Sequence, residues 1–550
     1  MAMSLPKTGL ARFLKEGTRH LQGVQEAVER NIEACIELSS QIKSAYGPKG
    51  MNKMVINRLE KLFVTNDAST VLSELEVEHP AAKMLVLAAT MQQKEIGDGT
   101  NAVLLLASAL LENAQELLKM GLTPMEIASG YELASDKALE LLPSLEVAKV
   151  GSVKEQSNEV FQAVRTSIAS KQYGYEDLLA KLVVEACAQI LPANHKNFNV
   201  DNVRVCKILG GGIGSSTVMN GMVFKRGAEG EVKQKSDAKI AVFTCPFDLT
   251  QTETKGTVLI QTAEELMNFS KGEEAEVEKQ VSALRDAGVG VVVSGGKFGD
   301  LYTHFLNKYQ IMGVRLNSKF DLRRLCRTVG AVAQPKIILP GPDALGHCSE
   351  VYLDEVGDTQ IVVFKQLQES SAVATVVIRG SSENLMDDVE RAIDDGVNTF
   401  KALTKDGRLV AGAGAVEMEL ARQVESWGER CPGLEQYAVK QFALALDTLP
   451  KLLADNAGLK ATSALSELYA AHQRGQSRSG VDVDAEGDSN TLLEDAMQSG
   501  VVDLYSLKHW AVKLATNAAC TVLKVDQIIM AKQASGPKPR DPKGLDADDD

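Results

Sequence analysis

Residues 97–121 read Gly97-Asp98-Gly99-Thr100-Asn101, then AVLLLASALLENAQELLKMG. The second part is a long helix pattern, rich in Ala and Leu, that closes on Lys119 and Gly121. The first part is a small acidic turn, flanked by glycines, that runs straight into that helix. Such a turn leaves backbone N–H groups unpaired at the positive end of the helix dipole, which makes it a candidate phosphate site. Asp98 adds a hard oxygen ligand of the kind Mg2+ takes while keeping several waters. The same residues also read as an Asp cap on an ordinary helix, and the stretch alone does not separate the two readings.

Upstream, VERNIEACIELSSQIKSA (28–45) is an amphipathic helix that stops at Tyr46-Gly47-Pro48-Lys49-Gly50. Gly47 frees the backbone, Pro48 fixes it and Gly50 lets it turn again. That turn either lays N–H groups and a lysine beside a phosphate or simply ends the helix. MVINRLEKLFVTND alternates like two hairpin strands and delivers Asp67 within Thr65-Asn66-Asp67-Ala68-Ser69-Thr70, where a lone Asp is ordinarily a turn former. A helix over 80–96 leads into the acidic turn, and Thr123-Pro124 with Glu126 starts another over 123–143.

Downstream, helices over 157–168 and 176–191 bracket Ala169-Ser170-Lys171, where Lys171 either reaches an anion or is solvated. From about residue 200 the pattern switches to short strands with Gly or Pro punctuation: 238–245, 288–295, 335–340, 350–354, 361–366 and 373–380. The glycine run at 210–214 has no helix directly behind it and reads as a hinge or bulge. Residues 251–288 read as an insertion with two helical patterns and a Glu/Lys-rich tip near 270–276. Leu259, Ile260, Leu266, Met267 and Phe269 make it either a self-packed hairpin or an exposed interaction arm. The helix ENLMDDVERAIDDGVNTFKAL (383–403) carries the apolar stripe Leu385, Val389, Ile393, Gly396, Phe400 and Leu403. Asp394 and Asp395 lie off that stripe, where a carboxylate is ordinarily solvated. Small residues at Gly412-Ala413-Gly414 let a backbone approach a ligand or turn tightly into a helix. Helices are expected over 434–456, 460–473 and 506–519, with a turn-rich acidic insertion at 481–490 and Asp503 just ahead of the last helix. Residues 534–550 are Pro/Gly-rich, then acidic, and read as disordered.

The 550 residues correspond to about three or four domains. Hydrophobic residues at 44% and charged residues at 24% are those of a globular protein with large cores. A net charge of −14 without a basic block argues against nucleic acid as a partner. Eight cysteines are scattered with no CxxC pair and no secretory signal before them, so reduced thiols are expected and zinc or disulfide frameworks are not. No apolar run reaches the length of a membrane span, so no membrane partner is expected.

Eight short motifs run in order along nearly the whole chain: GPKGMNK, VTNDAST, GDGTN, SIASK, VERAIDD, LVAGAGAVE, LLADNAG and GVVD. Together they resemble the group II chaperonins, specifically the subunits of the eukaryotic cytosolic ring chaperonin (TRiC/CCT). The C-terminal WAVKLATNAACTVLKVDQIIMAK, and NDA where NDG is commoner, point to one subunit class within that ring. The resemblance implies a mixed α/β multidomain chaperonin fold. A mainly helical equatorial domain would come from 1–150 and 408–533, and a small intermediate domain from 151–218 and 372–407. A strand-rich α/β apical substrate-binding domain would span 219–371 with a helical lid protrusion at about 251–288, leaving a tail at 534–550. The resemblance further implies a cytoplasmic ATPase that uses Mg2+ and turns ATP into ADP to close the ring and fold enclosed proteins such as actin and tubulin. Its partners would be paralogous subunits in a hetero-oligomeric double ring, unfolded client proteins and prefoldin-like co-chaperones.

By the family pattern, Tyr46, Gly47, Gly99, Thr100, Asn101 and Ala102 hold the nucleotide phosphates and Asp98 is the Mg2+ ligand. Ser170 and Lys171 match the loop that senses the terminal phosphate. Gly412 and Ala413 match the backbone turn near adenine and ribose, and Asp503 matches the ribose contact. Asp395 matches the carboxylate that orients the attacking water, with Asp67 assisting. Asp395 would reach the phosphates only when its domain swings down, which makes closure and catalysis one event. Two departures stand out. Gly412-Ala413-Gly414 replaces GGG, which puts tight backbone approach in doubt. Asp395-Gly396 replaces Asp-Ala, at about 1 kcal/mol of helix propensity, which would loosen the carboxylate. They leave a second expectation open, a nucleotide-binding structural ring subunit with little turnover. A metabolite kinase is disfavoured, because no small-molecule acceptor constellation accompanies the glycine-rich turns.

Overall fold

The structure is a computed structural model that describes residues 19–21, 24–151, 153, 157–248, 261–366, 373–485 and 492–530. Every residue from Ala102 to Leu111 in the Thr100–Lys119 helix is buried. A helix apolar on all sides has to sit inside a bundle. The helices around it come from both ends of the chain: Val24–Ile42, Pro80–Glu95 and Pro124–Leu141 from the first part, Ala415–Gly428, Glu435–Leu446 and Tyr505–Leu523 from the last. The Pro124 helix starts on the expected capping box, in which Thr123 and Glu126 exchange hydrogen bonds. A small sheet in the order Val502–Leu504, Arg408–Ala411, Glu146–Lys149 lies beside the bundle and sets Val410 opposite Asp503.

A second core gathers the helices Asn158–Ala169, Glu176–Gln189 and Glu383–Lys405. Beyond it lies a nine-stranded mixed sheet, ordered Val203–Leu209, Ala374–Gly380, Thr217–Phe224, Thr359–Lys365, Gly346–Val356, Gln234–Phe243, Val289–Ser294, Met312–Arg315, Ala228–Glu229. Alternate side chains of its strands face opposite ways. One face packs on the helices Ala263–Asp286 and Asp300–Lys308, the other on Lys319–Val329.

The expected strand over 335–340 does not form. Gln334 makes a single bridge to Phe243. Pro335 then lacks the N–H that a ladder needs, and Ile338 and Leu339 are left exposed. Within the expected arm, Ala263–Asp286 is one uninterrupted helix, so no break occurs at the Glu/Lys-rich tip. Residues 251–260 of that arm, including Leu259 and Ile260, and the side chains of Leu266, Met267 and Phe269 fall outside the described residues, as does the tail at 534–550. At the glycine run, Gly210 and Gly211 turn the chain out of its strand with positive φ, and only a short 3-10 turn precedes Thr217–Phe224. In the acidic insertion, Gly480–Val481 pairs with Leu492–Leu493. All eight cysteines are unpaired, and among the described residues no helix is long and apolar enough to cross a membrane.

Candidate active site

A cavity of about 340 Å³ is lined by residues of both cores. One wall is the acidic turn. Gly97 and Gly99 have φ of 87° and 78°, a conformation L side chains rarely adopt. A Cβ on Gly97 would also stand 2.3 Å from Asn398, so the turn and the Glu383–Lys405 helix meet only because glycine is there. The amides of Thr100, Asn101 and Ala102 begin a helix and have no carbonyl a turn behind them. No side chain caps them, and all three residues line the cavity. Asp98 is held from two sides: its Oδ1 accepts from the Gly99 N–H at 2.6 Å and its Oδ2 from the Ser167 hydroxyl at 2.8 Å. Burial raises its pKa above the usual carboxylate range against the pull of Lys171 and these hydrogen bonds.

Asp67 caps the Ala68–Glu74 helix, accepting from the amides of Ser69 and Thr70 and from the Thr70 hydroxyl at 2.6 Å. The bland reading of this residue as a turn former is therefore correct, and incomplete. Its Oδ1 also lies 3.0 Å from Lys171 Nζ, and the same ammonium pairs with Asp395. Burial works against the charge on Lys171, but Asp395 and Asp67 more than offset it and raise its pKa. Burial lifts the Asp395 carboxyl well above its usual range; Lys171 opposes this, while Asp98 and Asp67 reinforce it. One ammonium thus serves two buried carboxylates with a third close by, a surplus of negative charge that favours a proton or a further cation.

The default of a solvated carboxylate fails at Asp395, which is 2% exposed, and the default of a solvated lysine fails at Lys171, whose side chain is 8% exposed. The buried arc of the Glu383–Lys405 helix is wider than its apolar stripe and takes in Asp388 and Asp395, while Asp394 stays exposed. Gly396 explains part of this. A Cβ there would lie 3.1 Å from Ile168 and 3.4 Å from Val164. Glycine therefore lets this helix approach Asn158–Ala169 closely beside Asp395. The helix brings Asp395 to the cavity wall.

A second lysine stands on the opposite wall. Lys508 Nζ is 2.6 Å from Glu417 Oε1 and 2.7 Å from Asp503 Oδ2. The turn at Tyr46 and Gly47 is fixed by Asn456, whose Nδ2 donates to the Tyr46 carbonyl at 2.7 Å. Ala413 takes a left-handed φ of 54°, and its methyl fits because its neighbour is Gly480: a Cβ on Gly480 would stand 2.7 Å from that of Ala413. The departure from GGG is thus met by a glycine elsewhere. Of the residues expected from the sequence, Gly412 is the one that does not line the cavity; it packs on Val501 instead and donates its N–H to the Val501 carbonyl at 3.0 Å. Tyr46, Gly47, Asp67, Asp98, Gly99, Thr100, Asn101, Ala102, Ser170, Lys171, Asp395, Ala413 and Asp503 all line it.

Sequence reasoning missed Ser167 and Lys508, which also line the cavity as Gly414 does, and Glu417, which holds Lys508 from behind. It also missed the rim, where Asp484 of the acidic insertion accepts from Tyr173 and pairs with Lys49 at 3.1 Å. Lys508 and Glu417 carried no signal, because a charge on a helix reads as surface. The cavity fits a magnesium nucleotide. Among the described residues no group of three His, Cys, Asp or Glu is placed to hold a metal, and Mg2+ needs none, since it takes one or two carboxylates and completes its shell with water and phosphate oxygens. The surplus of buried carboxylate at Asp98, Asp67 and Asp395 suits a divalent cation. Asn101 Oδ1, buried without a partner, is an acceptor left over for a ligand.

A helical body built from both chain ends, a small helical core beside it with the anion cradle between the two, and a strand-rich body beyond define the chaperonin class of ATPase. The sequence pattern of the TCP-1/cpn60 chaperonin family matches residues 38–533. The chain is 62% identical to T-complex protein 1 subunit theta of Caenorhabditis briggsae, with 100% of both chains covered. It is 59% identical to that of Homo sapiens, again over 100% of both, and 57% identical to that of Gallus gallus over 98% of each. The chain belongs to the TCP-1/cpn60 chaperonin family. It is a subunit of an ATP-dependent chaperonin and an ATPase, and the subunit class to which its C-terminal run pointed is the theta class.

Proposed function

We propose that this cavity binds ATP with Mg2+ and hydrolyses it to ADP, with Asp395 placing the attacking water. The observation that carries this is Lys171 held between Asp67 and Asp395 in a cavity that also takes in Asp98 and the free first-turn amides. The amides of Thr100, Asn101 and Ala102 and the turn at Tyr46 and Gly47 bind phosphate oxygens. Asp503 and Ala413 hold the nucleoside. Asp98 holds the Mg2+, which when bound screens the phosphate charge. Lys171 exchanges partners: a terminal phosphate draws its ammonium away from the carboxylates and Ser170 follows with the loop. Asp395 is then an unpaired base in a dry site, and its raised pKa makes it a better proton acceptor. Asp67 keeps its cap and steadies the lysine.

On this reading the chain divides as its family pattern implies. Residues 1–150 and 408–533 form the equatorial domain, 151–218 and 372–407 the intermediate domain, and 219–371 the apical domain with its protrusion at about 251–288. Closing the intermediate domain brings Asp395 and the phosphates together and moves the apical domain with it. The chain works in the cytoplasm within a hetero-oligomeric double ring of paralogous subunits. Its clients are unfolded proteins, actin and tubulin among them, handed over by prefoldin-like co-chaperones.

The test is single-turnover hydrolysis in assembled rings whose other subunits are disabled at their own sites. Asp395→Ala leaves nucleotide affinity nearly intact and lowers hydrolysis by about 10²–10⁴-fold, the usual contribution of a base or water-placing group. Asp394→Ala, which changes an exposed carboxylate on the same helix, does little. Hydrolysis at the parent rate by Asp395→Ala would make the subunit a nucleotide-binding scaffold.

A further inference from the structure

Seven residues before Asp395, about two turns along the same face of the helix, lies Asp388. It is 5% exposed and does not line the cavity. Its Oδ1 accepts from the Thr65 hydroxyl at 2.7 Å and its Oδ2 from Gln172 Nε2 at 2.6 Å. Arg391 Nη1 stands 3.7 Å from Oδ1. Each partner adjoins a group of the proposed machinery. Thr65 is itself buried, and its oxygen accepts the Asp67 N–H at 3.0 Å, so the hydroxyl that donates to Asp388 also sets the turn that presents the Asp67 carboxylate. Gln172 follows Lys171 directly. A third bond closes the frame, from Asn66 Nδ2 to the Ser170 carbonyl at 3.2 Å. The helix of Asp395, the turn of Asp67 and the loop of Lys171 come from three separate parts of the chain. Apart from the reacting cluster itself, Asp388 is, among the described residues, the acid that touches all three.

We infer that Asp388 is a positioning residue for hydrolysis, a buried latch that fixes Asp395, Asp67 and Lys171 relative to one another. The inference rests on the hydrolytic reading of the cavity. A carboxylate suits the task because it accepts on both oxygens and bonds to an ionised acceptor are short and strong. Two neutral donors from different segments converge on it, and each is buried, which makes leaving it unpaired costly. When the Glu383–Lys405 helix lifts away, these bonds break together with the Lys171–Asp395 pair, so the latch engages only in the arrangement that hydrolyses. Because it meets neither nucleotide nor phosphate turn, it acts on the rate of the step and not on binding.

The experiment uses the same assembled rings with partner sites disabled, and measures kcat and KM for ATP with the full-length chain. Asp388→Ala lowers kcat roughly 10²-fold, the scale of a displacement of about 1 Å in a reacting group, and leaves KM within about twofold, a change under about 0.5 kcal/mol. Asp388→Asn keeps the shape and one acceptor, and Gln172 can turn its amide to meet it, so it recovers part of kcat. Should Asp388→Ala fail to assemble, the Asn variant and the next arm still decide. Thr65→Val with Gln172→Leu removes both donors and lowers kcat by a similar factor; adding Asp388→Leu to that pair costs little more, because the three act as a unit. Parent kcat in both Asp388 variants, a loss that falls on KM, or multiplicative losses in the triple variant would each overturn the latch. A parent chain that hydrolyses nothing in these rings would overturn the proposed function as well, which separates the two failures.

Discussion

Two buried lysines face one cavity, and each holds two carboxylates. The side chains of Lys508, Glu417 and Asp503 are 11%, 6% and 21% exposed; those of Lys171, Asp67 and Asp395 are 8%, 9% and 4% exposed. Burial does not distinguish them. Their origins do. Glu417, Asp503 and Lys508 come from a helix, a strand and a helix of the C-terminal part, although Val502, Leu504 and Leu507 beside them also pack in the second core. Asp67, Lys171 and Asp395 come from three distant parts of the chain and meet only where the two cores touch. Charges fixed on one body hold a wall in shape. Charges that bridge separate bodies can trade partners when a ligand arrives. On the proposed mechanism the same chemistry gives a static floor on one side and a movable cluster on the other.

The sharpest way to break this comparison is to remove each lysine. Lys508→Met strands Glu417 and Asp503 as unpaired buried charges, and Glu417 already has one oxygen without a partner. Losing one member of a buried pair costs about 3–5 kcal/mol, so the variant should unfold or fail to assemble well before the parent in denaturant. Lys171→Met should cost less, about 1–3 kcal/mol. Both stranded carboxylates line the cavity, and Asp395 takes up a proton readily because burial has raised its pKa. Hydrolysis, not folding, is what that variant loses. Equal loss of stability in the two variants would make the clusters alike and remove the reason to regard one as movable.

The comparison also explains what could be read from the sequence. The turns at 46–47, 97–101 and 412–414 announce themselves because glycine and proline constrain the backbone locally, and a local constraint survives without a fold. The burial of Asp395 and Lys171 is not local. Helical phase put Asp395 off the apolar stripe, and it is buried where Asn158–Ala169 approaches across Gly396 and Lys171 pairs with it. Those two residues were reached by family pattern, not by periodicity. Lys508, Glu417 and Asp388 were not reached at all, since each looks like a surface charge until the partner from elsewhere in the chain is in place. The 335–340 segment erred in the other direction: Ile337, Ile338 and Leu339 read as a strand, but the prolines on either side deny the ladder its donors. Nothing in the separate stretches foretold that the acidic insertion would reach Tyr173 and Lys49 across the cavity rim.

A second, smaller test concerns which side holds the metal. Asp98 belongs to the bundle, yet it takes a hydrogen bond from Ser167 of the other core, so it stands between the two lysine clusters. Asp98→Ala removes the anionic ligand of the turn while leaving its amides in place. A contact to a charged group is worth about 1.5–3 kcal/mol, so Mg2+-dependent nucleotide affinity should fall roughly 10–150-fold, while affinity measured with a chelator present changes little. The check is a titration of nucleotide binding against Mg2+. A variant that keeps the parent's Mg2+ dependence would move the metal to Asp67 or Asp395 and place it within the movable cluster.

The smallest effect is expected on the static wall, at Ala413. Its left-handed backbone costs an L residue about 1–2 kcal/mol, which Ala413→Gly would recover. Glycine in turn gives the unfolded chain more freedom, worth about 0.4–1 kcal/mol against folding, and it deletes a methyl that now fills the space Gly480 leaves open. These terms nearly cancel, so stability in denaturant should stay within about 1 kcal/mol of the parent. Nucleotide affinity should move as little, because the segment is held by bonds that the change does not touch. The Val481 N–H donates to the Ala413 carbonyl at 2.9 Å, and Gly412 is tied to Val501. Paired with Gly480→Ala, the same position probes the fit from the other side. In the parent chain the added methyl would meet that of Ala413 at 2.7 Å, an overlap that should cost about 1–3 kcal/mol. In the Ala413→Gly background the methyl overlap is gone while the Ala413 carbonyl oxygen remains at 2.9 Å, so part of the loss should return. Additive losses would mean that Gly480 is there for the Ala413 carbonyl and not for its methyl. A large gain in affinity from Ala413→Gly alone would show that this wall is not static, and the contrast between the two lysines would have to rest on something other than rigidity.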